Sequence, residues 1–415
     1  MKSKFHEKGQ ALILIALAAI GLFAFAALAI DGSRVYSEKR QAQNAADAAA
    51  LAGALAYSRG NSIADVAKAR ATSNGYNDID KNHVTITVDD SPPGVCPAHT
   101  VGKEITVTIV SYVDTSLARV VGRNQVTTAL TATARSCGSY TGPPFDGNVI
   151  VALAPSGKGY DGTGTPDWTI EGGGIFSNSK DSNAAYCNGA TGITAPSITV
   201  VGTTDLRCNS VNIPTTTTAA PPYTIYSSFS SLLPRTPACN GTATKSGGQW
   251  QPEAGKDGSK IAFNGDMDFA PGLYCVTNSP GPYHGVLTGS EVTFYVMSAN
   301  FSMTFNGTGN SFNATAPPSG DYKGVLMYLA PQVDANGNLI QTQELDLRGN
   351  GNGDITGTII APSADVTLFG NSTGKLNTQV IAYHVDSGGT ANIHVKYEAD
   401  DNYQATLPIV LTMLK

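Results

Sequence analysis

Apolar and polar positions divide the chain into three textures. The first is ALILIALAAIGLFAFAALAI (11–30), which no charged or strongly polar side chain interrupts. A helix of roughly 20 residues rises about 30 Å, the thickness of a hydrocarbon layer. Helix formers continue beyond it without a proline, and the first good stop is Gly60-Asn61. One helix of about fifty residues, roughly 75 Å long, is therefore expected. In its second half Ala45, Ala46, Ala49, Ala52, Leu55 and Ala56 recur at helical spacing. The stripe is too shallow for an ordinary core. Side chains this small let another backbone come close, either that of the chain's own domain or that of a second long helix.

In the second texture, VTITVDD (84–90) and EITVTIVSYV (104–113) alternate as strands do, with Pro92, Pro93 and Gly94 marking a turn between them. DTSLARVVG (114–122) predicts a short capped helical turn, VTTALTATA (126–134) a last strand, and SYTGPPF (139–145) a linker. The third texture begins at Asp146. Short alternating runs (SITVVG, EVTFYVM, FSMTF, DITGTII, ADVTLFG, TQVIAY, NIHVKY) are separated by Gly, Asn, Ser and Thr, and several meet an Ala-Pro step. Proline suits strand ends and corners. Short, regularly spaced strands fit a sandwich or barrel. Recurrence of one texture to the C-terminus fits a right-handed β-solenoid, in which each coil covers its neighbour. TTTTAAPP (215–222) reads as an exposed loop continuing towards Pro237.

Composition narrows the function classes. Charged residues are 14% of the 415, and the net charge is −6, so nothing provides the clustered basic face that nucleic acid requires. The six cysteines include no C-x-x-C, against a compact zinc site, and they suit an oxidising compartment. Lys2, Lys4 and Lys8 against Glu7 favour an N-terminus on the cytoplasmic side of the cytoplasmic membrane, with the bulk of the chain outside. A cleaved signal is the rival, but its apolar core is usually about 7–15 residues. A retained single-pass anchor is the expectation. A bridge from Cys96 to Cys137 would tie a loop to a sheet edge. Neighbour pairing of Cys187 with Cys208 and of Cys239 with Cys275 is the simplest arrangement, although six cysteines allow 15 pairings.

KGQ before the apolar span, Asp31 closing it and above all QNAADAAALAGA after it resemble the N-terminal module of Flp/Tad pilus-assembly proteins of the TadG-like kind. TALTATARS resembles that module's closing strand, and GTIIAPSADVTLFGN resembles the β-helical region often fused to such modules in bacterial surface proteins. The resemblance implies a pilin-like body: a long helix anchored in the inner membrane and packed on a small sheet. It also implies association with the Flp/Tad machinery or other pilin-like subunits. Gly9-Gln10 occupies the place where prepilins are cut, but Leu14 stands where they carry a glutamate, which points to an accessory or minor component. The expected organisation is a basic flank (1–9), a transmembrane helix (10–31), a Tad-like module (32–138), a linker (139–145) and a β-solenoid (146–415).

Little in the chain speaks for catalysis. His384 and His394 lie on consecutive strand-like runs near Asp386, where a polar ladder is the plainer explanation than a metal site. VDANGNLIQTQEL, counted from Asp334, has Leu339 and Leu345 where a calcium loop needs glycine and glutamate, and reads as an Asn336-Gly337 hairpin turn. Asp266/Asp268 and Asp400/Asp401 are sequence neighbours, which seldom form a glycosidase pair. The expectation is a non-enzymatic, cofactor-free structural or adhesive protein that presents a solenoid to a surface polysaccharide or protein receptor. The alternative is a surface-anchored carbohydrate-active solenoid enzyme, a lyase or hydrolase.

Overall fold

The structure, a computed structural model, describes residues 7–79, 81–96, 101–165, 167–305, 309–347, 354–370, 376–389, 392–407 and 409–414. They form two units. One runs from the N-terminus to Tyr140 and takes in the C-terminal strand; the other spans Thr141–Leu407.

In the first unit α1 (Glu7–Ser58) is one uninterrupted helix of 52 residues. Its apolar half is open to the surroundings: Leu14, Phe23, Phe25 and Leu28 are all exposed. After Gly60-Asn61 comes α2 (Ile63–Ser73), whose first turn is capped by the Ser62 hydroxyl accepting from the Asp65 N–H. β1 (Asn82–Asp90), β2 (Gly102–Asp114) and β3 (Gln125–Cys137) form an antiparallel meander. Alternation sorts the faces of β2. Ile105, Val107 and Ile109 turn inward, while Thr106 and Thr108 pair outward with Thr133 and Thr131 at 2.9 and 3.0 Å.

A fourth strand, Val410–Met413, pairs antiparallel with the end of β3, Cys137 opposite Val410 and Ala134 opposite Met413. This corrects the expected solenoid range of 146–415, since the solenoid unit ends at Leu407. A short, mostly apolar run such as Val410–Met413 fits any open sheet edge, and here the edge of β3 is the one it fills. The solenoid is thus an insertion between two neighbouring strands of the first unit's sheet.

The second unit is a β-solenoid of about 10 turns. Its coils are not stacked in chain order. Ile150–Ala152 enters in the middle of the stack, and successive coils add Ile175–Ser177, Ser197–Val200 and Thr215–Thr217 towards one end. The chain then crosses to the other end. From there Ser259–Ile261, Gly272–Val276, Val292–Val296, Val325–Leu329 and Thr358–Gly370 build back until Val380–Gly389 docks in parallel on Ile150–Ala152. At this seam Val380 lies opposite Ile150, and Gln379 donates to the Asn148 carbonyl at 2.6 Å. Inward residues form ladders: Tyr274, Phe294, Met327, Ile359, Val380, Ile150, Ile175 and Ile198 follow one another in register. The Ala-Pro steps sit at corners. Pro155 and Pro331 follow strands that end at Ala152 and Leu329, and Pro362 falls where the pairing of Thr358–Gly370 is irregular.

The crossing segment begins largely exposed over 215–222, as expected, with Thr215–Thr217 paired as a strand, but its continuation towards Pro237 is not an exposed loop. Phe229, Leu232 and Leu233 are buried on one outer wall, against Val151, Phe176, Tyr295, Tyr328, Ile360 and Ile381. Strands such as VTFYV and VLMYL are therefore buried at every position, inside by the core and outside by this strap. Arg235 holds it down with a two-pronged pair to Asp257 at 2.7 and 2.9 Å and a contact to Asp321 at 3.0 Å. The three disulfides are Cys96–Cys137, Cys187–Cys208 and Cys239–Cys275. The first joins the β1–β2 loop to the end of β3, the second joins neighbouring coils, and the third fastens the end of the strap.

Candidate functional site

The helix stem is the first candidate. Ala42, Ala45, Ala46, Ala49, Ala50 and Ala54 are fully buried and line one face of α1, against Ile105, Val107 and Ile109 of β2, Ala132 and Ala134 of β3, and Ala67 and Ala71 of α2. The tightest approach is at Gly53, where a Cβ would lie 3.0 Å from Ile105 Cγ2 and 3.3 Å from Ala67 Cβ. Within this unit the small side chains serve close packing on the chain's own sheet. Of the residues singled out from the sequence, Ala45, Ala46 and Ala49 lie in this face. Ala56 is buried outside the cluster and Ala52 is half-buried beside it. Gly9 and Gln10 lie on the first turns of α1.

At the end of the apolar span, Asp31 is buried and accepts three backbone N–H bonds, from Ser116, Leu117 and Ala118 at 2.8, 2.9 and 2.7 Å. Arg34 adds a bond to the Ser116 hydroxyl. These donors belong to the start of a 3₁₀ turn, Ala118–Val121, in the β2–β3 connection. The helical turn read from 114–122 is present, but its cap comes from Asp31, more than eighty residues earlier, and not from Asp114. Asp114 pairs with Lys81 at 2.6 Å instead.

On the solenoid, a groove of about 1000 Å³ is lined by Asp146, Phe176, Thr199, Thr217, Tyr223 and Tyr397, among others. Asn178 fixes Tyr223 by accepting its N–H at 2.8 Å and donating to its carbonyl at 2.9 Å. Burial, and then the Asp146 charge, push the Tyr223 hydroxyl pKa upwards, so it stays a neutral donor. Aromatic rings with a few placed hydroxyls are a common lining of ligand clefts.

A polar ladder runs along another part of the wall. His384 and Asp386 alternate with buried Val385; Asp365 is the register partner of His384, and Asp161 that of Asp386. His384 Nδ1 lies 2.8 Å from Asp365. Burial of the ring favours its neutral form, but the hydrogen bond and charge of Asp365, with Asp386 and the Ser156 backbone, outweigh it and raise the pKa. Burial and the Asp161 and Asp365 carboxylates raise that of Asp386. Lys158 pairs with Asp161 at 3.0 Å and lies over the Tyr186 ring.

His394 does not join this ladder. It sits on Ile393–Lys396 and meets Glu171 at 3.1 Å. Among the described residues no group of three His, Cys, Asp or Glu side chains is placed to hold a metal ion. Asp266 accepts from the Val286 N–H, and Asp268 from Thr288 and Gln249, so both serve coil-to-coil hydrogen bonds. Asp334 accepts from the Asn336 and Asn338 N–H groups around Gly337, which has φ +81, the left-handed backbone that turn requires.

Residues 9–56 match the family model described as Flp pilus-assembly TadE/G-like. Searches of curated proteins and of solved structures found no match to this chain. The matched residues are those of the apolar half of α1 and the alanine stem, so the chain carries a TadE/G-like Flp pilus-assembly domain at residues 9–56, ahead of a β-solenoid.

Proposed function

We propose that this chain is a non-enzymatic, membrane-anchored component of a Flp/Tad-type pilus assembly system. In this reading it is a minor pilin-like or accessory subunit whose solenoid stands outside the cytoplasm as a structural or adhesive element. One observation carries the proposal. The Flp pilus-assembly match falls on α1, and α1 divides into an apolar half with open surface and an alanine half committed to its own sheet. The open half supports single-pass anchorage in the cytoplasmic membrane, and the basic flank favours an inside N-terminus. The solenoid groove would receive a surface polysaccharide or a protein receptor. A C-terminal tag should be cut by protease added to intact spheroplasts of pilus-forming cells; a protected tag overturns the topology.

The polysaccharide-enzyme reading has one specific observation behind it, the Asp365, His384, Asp386 and Asp161 ladder. A panel of polysaccharides incubated with the purified chain separates the two. Turnover that disappears in a folded Asp386→Ala variant would replace the non-enzymatic proposal.

A further inference from the structure

The β2–β3 connection is the end of the first unit's sheet nearest the apolar span. β2 descends antiparallel to the second half of α1. The Tyr57 hydroxyl is 3.5 Å from the Val101 carbonyl oxygen, Ile105 abuts Gly53, and Ser116 meets Arg34 and Asp31. The lengths agree: from Gly53 back to Asp31 the helix falls about 33 Å, and from Ile105 to Ser116 an extended chain covers about 36 Å. Asp31 is the first charged residue after the span, so its three hydrogen bonds fasten this tip at the level where the apolar run ends.

The tip's composition is unusual for a turn facing water. Val120 is 87% exposed and Leu117 39%. Exposed Arg119 and Arg123 flank Val120, and exposed Arg34 lies beside Ser116. The nearby acids are engaged, Asp31 by the tip's own backbone and Asp114 by Lys81. The tip also closes its own hydrogen bonds: Val120 N–H donates to Leu117, Gly122 to Arg119 and Arg123 to Ala118. Gly122, at φ +79, makes that closure possible. Each N–H closed in this way is one fewer polar group stranded in a low-dielectric boundary.

We propose that this tip is a second membrane contact. Val120 and Leu117 enter the acyl boundary of the bilayer that α1 crosses, and Arg34, Arg119 and Arg123 hold anionic phospholipid headgroups. The charge sign selects the lipid, and the apolar tip sets the depth. The contact would fix the first unit against the membrane surface, which a single helix alone leaves free to swing. The inference rests on α1 spanning the membrane.

The test uses the full chain in proteoliposomes of phosphatidylcholine with phosphatidylglycerol, and in phosphatidylcholine alone. The indole introduced by Val120→Trp should emit at shorter wavelength and be quenched by lipids brominated near the glycerol end of the acyl chain, above the background of Trp168 and Trp250. In the phosphatidylglycerol vesicles, adding Arg119→Gln and Arg123→Gln should shift the seated-to-unseated ratio by roughly thirty-fold, from the loss of two surface charges. In the unaltered chain, amide exchange of 119–125 should slow when phosphatidylglycerol is present. Emission from the Val120→Trp variant that stays unquenched, together with exchange indifferent to the bilayer, overturns the seating. Quenching unaffected by both the arginines and phosphatidylglycerol overturns the headgroup contact. Flotation with the vesicles is scored separately: a chain that floats but fails these readouts sinks the tip alone, and one that does not float sinks the anchor and the tip together.

Discussion

Ala49→Leu and Ala52→Leu make a paired test of what the alanine stem packs against. The two positions share a helix, lie less than one turn apart and accept a residue of nearly equal helix propensity, so propensity cancels. Ala49 is fully buried in the cluster with Ile105, Val107 and Ile109, whereas Ala52 is half-buried outside it. Next to Ala49 the helix already approaches the sheet closely enough to leave only 3.0 Å between Ile105 Cγ2 and a Cβ on Gly53. Three extra carbons at Ala49 must push the helix off the sheet, an overpacking cost of about 1–3 kcal/mol. At Ala52 the leucine turns aside and the cost stays within about 0.5 kcal/mol. Hydrogen exchange read by mass spectrometry on the full chain in detergent reports local opening of β2. Ala49→Leu should speed exchange at Val107 and Ile109 by roughly 5- to 150-fold, with the solenoid peptides unchanged as an internal control. If Ala52→Leu opens β2 as much as Ala49→Leu, or neither does, the stem is not committed to its own sheet and the reasoning fails.

Three further outcomes follow from the same geometry. Asp31→Asn removes the charge shared by three N–H donors, so the Ser116, Leu117 and Ala118 amides should exchange faster while those of β2 above Ile109 keep their protection. Replacing Cys239 and Cys275 by alanine frees a segment of 36 residues and should lower solenoid stability by up to about 4 kcal/mol, read from the denaturation midpoint of Trp168 and Trp250 fluorescence. The folded-state pKa values of His384 and Asp386 are both raised, so each group's stabilising contribution is full below its unfolded pKa and is lost as pH rises through the folded value. The solenoid should therefore lose stability as pH rises from the ordinary carboxylate range upward on account of Asp386, and again through and above the ordinary histidine range on account of His384, and Asp365→Asn should flatten the part of that dependence owed to His384.

Much of the architecture is legible in the sequence because it is written in local periodicity. The apolar run, the unbroken helix formers to Gly60 and the period-two runs of β1, β2 and β3 each state their own conformation. The repeated short strands after Asp146 likewise state a solenoid. Connectivity is not legible, since any coil edge accepts any parallel strand. Nothing in Val380–Gly389 announces that it docks on Ile150–Ala152, more than two hundred residues earlier. The strap reads as a loop because TTTTAAPP is polar, while the residues that bury it, Phe229, Leu232 and Leu233, are spaced irregularly through a proline-containing stretch. α2 does carry a local signal: Ser62-x-x-Asp65 is a helix-start signature. Asp31 marks the end of the span in the sequence, but its capping of the distant turn arises only when β2 folds back along α1. The 45, 46, 49 spacing identifies the helix and its small face, yet spacing alone does not say which partner the face meets.

The central claim is that the chain works as an anchored part of a Flp/Tad-type pilus system. In-cell cross-linking followed by mass spectrometry of membrane and sheared-fibre fractions, from cells making such pili, tests it most directly. The account predicts the chain in the membrane or pilus fraction, cross-linked to Flp/Tad components and with α1 retained. A chain found free in the soluble fraction, or in the membrane with no cross-link to any pilus component, would contradict it.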